Sequence, residues 1–276
     1  MIARENGTYA MVAMDQRESL RTMLREHGHD GTDEQMRRFK MAVARALAPS
    51  ASGFLIDAEY LEDVAPFVSH GLILAVDALE QEPGAVVEDT ALDETVDVEA
   101  AKALGVVALK LLVIWRDDDR RGERVEMSRR FVELAARHEL LSVLEPVVRV
   151  GDDEREDAIV EAARELGATR PSLYKCQVPL AGRGEADAIT RHARAIDAAL
   201  PVPWVVLSQG VDPADFPRAV AASCEGGASG MLAGRAVWTP TLGAEDPSEL
   251  LRTQSAPRLQ ELAAIADAHG RPWHAR

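Results

Sequence analysis

Pro171-Ser172-Leu173-Tyr174-Lys175-Cys176-Gln177-Val178-Pro179 is a short apolar run with proline at both ends and a lysine inside it. A run of this length is too short for an ordinary helix and reads as a buried strand. No acidic residue lies within several positions of Lys175 to neutralise it. Burying an ammonium is costly unless it is paired or gives up its proton. A neutral lysine amine is the nucleophile that forms Schiff bases with carbonyl compounds. If this strand belongs to a barrel, Lys175 points at chemistry.

The runs around it supply the barrel. Residues 9–14 (YAMVAM), 53–56 (GFLI), 71–76 (GLILAV), 106–113 (VVALKLLV), 140–145 (LLSVLE), 173–178 (LYKCQV), 204–208 (WVVLS) and 230–233 (GMLA) are short, apolar and not strictly alternating. That is the pattern of strands covered on both faces. Amphipathic stretches lie between them. Residues 33–48 carry Met36, Phe39, Val43 and Leu47 near helical spacing, and 124–138, 153–166 (closed by Gly167), 213–224 and 257–269 behave likewise. Eight strands alternating with helices predict an α/β fold, a (β/α)8 TIM barrel, as a single domain over residues 1–276.

Bulk composition narrows the partners. The chain of 276 residues has 31 basic and 46 acidic side chains, a net charge of −15. That balance argues against nucleic acid or an anionic membrane as a partner. It also requires any phosphate site to gather positive charge and backbone N–H groups locally. The two cysteines, Cys176 and Cys224, give no disulfide framework and suit a reducing, cytoplasmic setting. A polar start and the absence of a run of about 18–20 apolar residues predict neither a signal peptide nor a membrane span.

Polar residues collect where strands end, which in such a barrel is the catalytic face. The runs close on Asp15-Gln16-Arg17, Asp57, Asp77, Glu145-Pro146, Ser208-Gln209-Gly210 and Gly234-Arg235, while Lys110 and Lys175 lie inside theirs. Asp57 and Asp77 read equally as helix N-caps. Lys110 and Glu145, on adjacent strands, also read as a structural ion pair. Ser208, Gly210, Gly234 and Arg235 are the phosphate candidates, because loops after strands seven and eight commonly hold that group. The segment 226–230 (GGASG) precedes strand eight and reads as a turn on the opposite face. Asp117-Asp118-Asp119-Arg120-Arg121 reads as a solvated loop. The histidines are scattered, so no metal and no other cofactor is expected.

The ordered set 14–20 (MDQRESL), 109–112 (LKLL), 141–149 (LSVLEPVVR), Tyr174-Lys175, 203–208 (PWVVLS) and 233–238 (AGRAVW) resembles the class I (Schiff-base) aldolases. That family includes tagatose 1,6-bisphosphate aldolase and sulfofructosephosphate aldolase of sulfoquinovose degradation, and the likeness is nearer to the latter, on Arg149 and the 234–238 stretch. The resemblance implies Lys175 as the Schiff-base lysine, Glu145 as the acid/base carboxylate, and Lys110 with Asp15 as a supporting pair. It places Ser208, Gly210, Gly234 and Arg235 on the phosphate and Gln16 with Arg17 at the other end of the substrate. The implied reaction cleaves 6-deoxy-6-sulfofructose 1-phosphate to dihydroxyacetone phosphate and 3-sulfolactaldehyde. The alternatives are a tagatose or fructose 1,6-bisphosphate aldolase, or an inactive sugar-phosphate-binding barrel. A homo-oligomer is expected. Cys176-Gln177 departs from the family pattern; alternation turns Cys176 outward and Gln177 inward.

Overall fold

Eight of the predicted runs form parallel strands that close on themselves in a computed structural model describing residues 1–82 and 85–275. The barrel strands are β1 (Tyr9–Met14), β2 (Gly53–Asp57), β3 (Leu72–Ala75), β6 (Val106–Trp115), β7 (Leu141–Val148), β8 (Leu173–Gln177), β9 (Trp204–Leu207) and β10 (Gly230–Ala233). Around the barrel they run in the order β1-β10-β9-β8-β7-β6-β3-β2. The closure, Tyr9 beside Gly230 and Met11 beside Gly53, leaves no free edge. The fold is a single-domain (β/α)8 barrel.

Two strands lie outside the barrel and were not foreseen. Asp77–Glu80 (β4) and Asp89–Leu92 (β5) pair antiparallel in a hairpin after β3. Their residues are half-polar, without the branched run that marks a buried strand, so composition hides them. Helices α1 (Glu18–Glu26), α2 (Asp33–Leu47), α3 (Leu61–Val64), α4 (Val98–Ala103), α5 (Arg121–Arg137), α6 (Arg155–Gly167), α7 (Ala186–Ala199), α8 (Phe216–Glu225), α9 (Arg235–Trp238) and a closing helix Ala256–His269 surround it. The predicted set omitted α1, α3, α4, α7 and α9. The α7 stripe, Ile189, Ala193 and Ile196, runs i, i+4, i+7, the same helical spacing as the stripes that were read.

The starts of α2 and α5 show why these helices begin where they do. Thr32 accepts from Gln35 N while Gln35 reaches back to Thr32 N, a capping box that satisfies two otherwise orphaned donors. The acidic run at the head of α5 folds back on that helix: Asp117 pairs with Arg121 and Asp118 with Arg124.

Inward and outward positions alternate along each strand. Outward residues such as Tyr174 and Cys176 pack under the helices, whereas Met11, Ala13, Leu55, Ile73, Ala75, Ala108, Val143, Leu173, Val205 and Leu232 fill the barrel interior. This apolar plug makes the barrel a packed core rather than a pore. The turn 226–230 leads into β10 on the side of that plug where strands start, as its position predicted.

Candidate active site

Two residues past the apolar plug, the same inward columns turn polar: Ala13 gives way to Asp15, Ala75 to Asp77, Ala108 to Lys110, Val143 to Glu145 and Leu173 to Lys175. Period-two alternation keeps Ala108 with Lys110, Val143 with Glu145 and Leu173 with Lys175 on one face of β6, β7 and β8. The polar layer floors a cavity of about 330 Å3 at the C-terminal ends of the strands. That size suits a small metabolite.

Glu145 is shared between two lysines. Its Oε1 lies 2.8 Å from Lys175 Nζ, and its Oε2 lies 3.0 Å from Lys110 Nζ. The absence of acids near Lys175 in the sequence therefore does not carry into space, because the neighbouring strand supplies one. Lys110 also donates to Asp15 Oδ2 at 2.8 Å and to Asp77 Oδ2 at 3.0 Å. Burial opposes its charge, but Asp15, Asp77 and Glu145 together hold its ammonium well above the ordinary lysine value. Burial likewise pushes Asp15 up, yet Lys110, Lys175 and Arg17 win and keep its carboxyl well below the usual range.

Asp77 is neither a helix cap nor a bystander. It opens β4, accepts from Leu112 N at 3.2 Å and binds Arg17, which donates to Asp77 O at 2.8 Å and to Oδ1 at 3.0 Å. Asp57 departs from both of its readings. Its carboxylate caps nothing and lies outside the cavity lining, pairing with Lys40 of α2 where both are fully buried. Burial draws Lys40 down and Asp57 up, so both are biased toward their neutral forms.

Next to β8, β9 and then β10 lead into Ser208 and Gly234. The N–H groups of Gly234 and Ala236 converge on Ser208 Oγ at 3.4 and 3.5 Å, too long for well-made bonds and thus open to a better acceptor. Gly234 is required for packing: a Cβ there would stand 2.7 Å from Ala13 O and 2.9 Å from Gln16 Nε2. Trp238 Nε1 donates to the same Ala13 O at 3.0 Å and ties α9 to the end of β1.

One cavity therefore gathers Asp15, Gln16, Arg17, Lys110, Glu145, Lys175, Ser208, Gly234 and Arg235. Gly210 lies outside it, on a neighbouring depression with Gln177 and Gln209. Gln177, which alternation set inward, lines that depression and not the cavity; it accepts from Val148 N at 2.8 Å and braces the end of β7. Sequence reasoning left Asp77 undecided between helix cap and catalyst, and did not count Arg149 as a site residue. The signal for Arg149 was its parity with Glu145 and Val147, all three of which line the cavity. Five cationic and five acidic side chains share that lining, so the cavity is balanced within a chain of net charge −15.

A lysine–carboxylate centre at the C-terminal face of a (β/α)8 barrel defines an enzyme active site of the kind that handles carbonyl substrates. Residues 9–240 match the DeoC/LacD family of aldolases, and the chain belongs to that family: it is a class I aldolase, a carbon–carbon lyase. It is 26% identical to tagatose 1,6-diphosphate aldolase 2 of Streptococcus agalactiae over 316 aligned residues, covering all of this chain and 96% of the relative. Its fold is similar to that of fructose-bisphosphate aldolase from Plasmodium falciparum (TM-score 0.75, 11% identity, 96% of this chain and 92% of the other). It is also similar to an archaeal fructose-1,6-bisphosphate aldolase whose catalytic lysine carries a carbinolamine (TM-score 0.63, 18% identity, 94% and 96%).

Proposed function

We propose that this cavity cleaves a ketose 1-phosphate reversibly through a Schiff base on Lys175. The observation that carries the reading is the shared carboxylate, with Glu145 touching Lys175 Nζ on one oxygen and Lys110 Nζ on the other. Glu145 takes a proton from the Lys175 ammonium and frees its electron pair for attack on the substrate C2 carbonyl. Returning that proton expels water from the carbinolamine and leaves a protonated imine. The base then removes the C4 hydroxyl proton and the C3–C4 bond breaks. Its electrons flow into the imine nitrogen, giving an enamine and a free aldehyde. Protonation at C3 and hydrolysis release dihydroxyacetone phosphate.

Lys110 and Asp15 are positioning groups in this scheme. Lys110 stays charged against three carboxylates and holds Glu145 in one orientation. Ser208, Gly234 and Arg235 would receive the C1 phosphate, with Gln16 beside Gly234 and Arg17 held by Asp77. Buried, unpaired Cys176 and Cys224 fit action in a reducing cytoplasm.

The substrate is a six-carbon ketose with anions at both ends. Tagatose or fructose 1,6-bisphosphate leads, supported by the activity named for the Streptococcus agalactiae relative. The second reading is 6-deoxy-6-sulfofructose 1-phosphate, which has the same frame and a singly charged sulfonate at C6. It is supported by Arg149 and the Gly234–Trp238 segment of the family resemblance. Dihydroxyacetone phosphate release from each ketose, followed by a coupled reductase, separates them. Turnover is expected with a doubly anionic ketose, and loss of turnover by at least about 1,000-fold in Lys175→Ala. A Lys175→Ala variant that keeps wild-type turnover would overturn the mechanism.

A further inference from the structure

Five cationic side chains line the cavity, and three are already spent. Lys110 faces three carboxylates, Lys175 faces Glu145, and Arg17 is held by two bonds to Asp77. Among the described residues the guanidinium groups of Arg149 and Arg235 make no hydrogen bond or ion pair. Arg149 Nε is buried without a partner, and the charged group that bears on this side chain is another cation, Arg116. A buried donor without an acceptor carries a full desolvation cost. An anion arriving there recovers it, bidentate if it is phosphate-like.

Strand order places the two free arginines on opposite sides of Lys175. Lys175 is on β8; Arg149 directly follows β7 on one flank, and Arg235 directly follows β10 beyond β9 on the other. A linear ketose with C2 on Lys175 and its C1 phosphate toward Ser208, Gly234 and Arg235 therefore extends its C6 end toward Arg149. Arg17, which the family resemblance set at that end, is occupied by Asp77. The Arg149 backbone is pinned on both sides: its N donates to Trp115 O at 2.8 Å, and Val148 N donates to Gln177 Oε1. Gln177 thus positions Arg149, which gives a physical reason for this departure from the family pattern.

We infer that Arg149 is the residue that binds the C6 anion and so sets the preference for a doubly anionic ketose over a ketose 1-phosphate with a free C6 hydroxyl. This rests on the Schiff-base reading above, and the test separates the two. Borohydride trapping with dihydroxyacetone phosphate, which lacks a C6 end, is run first on the wild-type protein. Wild-type and Arg149→Ala proteins are then compared on fructose 1,6-bisphosphate, tagatose 1,6-bisphosphate and fructose 1-phosphate.

The ratio of kcat/KM for the better bisphosphate to that for fructose 1-phosphate should fall on the order of 50-fold in Arg149→Ala, through KM. Arg149→Lys should recover part of it, and the trapping yield should match wild type. An unchanged ratio, or an equal loss on all ketoses, would overturn the assignment while trapping still upheld Lys175. Absence of trapping in the wild-type protein would instead remove the Schiff-base reading beneath it.

Discussion

Glu145 stands between two ammonium groups, and each of its oxygens has a separate task in the proposed reaction. Glu145→Gln keeps the side-chain shape but removes the proton acceptor. Its kcat should fall about 100- to 10,000-fold, with the variant still folded by circular dichroism. Rapid-quench measurement of imine accumulation checks this, and near-normal kcat would remove Glu145 as the base. Much of this centre was legible because the polar residues that end or interrupt the apolar runs already name Asp15, Lys110, Glu145 and Lys175. What stayed hidden was partnership. Lys175 and Glu145 are 30 residues apart in the chain, and the register that joins them belongs to the β7–β8 ladder. Asp77 was obscured for a different reason, since an aspartate after a strand looks the same whether it caps a helix or binds a lysine.

At the level of elements, α2 is bound to the end of β2 by the buried Lys40–Asp57 pair, with Lys40 also 4.6 Å from the Tyr60 ring centroid. Removing one partner strands the other in an apolar setting. Asp57→Ala is therefore expected to cost about 3–5 kcal/mol, or roughly 6–20 °C in Tm. A Lys40→Met, Asp57→Leu double variant should be more stable than either single change, because apolar replacement of a whole buried pair is often neutral or better. Calorimetry of the three variants decides it; additive losses would contradict the account. All eight barrel strands were readable as apolar runs because both of their faces are covered. The β4–β5 hairpin was not, since one of its faces borders the cavity and its sequence shows no periodic signal. Helix α1 was missed because its short sequence, ESLRTMLRE, buries only Leu20 and Leu24.

Across the whole molecule, a chain of net charge −15 concentrates five cations around one cavity and sets five carboxylates against them. Asp15, depressed in the fold, contributes stability that is fully present above its unfolded pKa of about 3.9 and is lost as pH falls below it. Lys110, raised in the fold, contributes stability that is fully present below its unfolded pKa of about 10.4 and is lost as pH rises beyond it. The share of stability from this centre should be flat between about pH 5 and 9. It should fall away on both sides, and Lys110→Met should flatten both limbs in urea-unfolding curves recorded against pH. Unchanged limbs would show that the centre is not where acid and alkaline instability begins. The most direct test of the central claim is the mass of the intact protein after borohydride reduction with dihydroxyacetone phosphate, followed by peptide mapping. A single reduced adduct on Lys175, absent from Lys175→Ala, is the predicted result. An adduct on Lys110, or none on a folded protein, would contradict it.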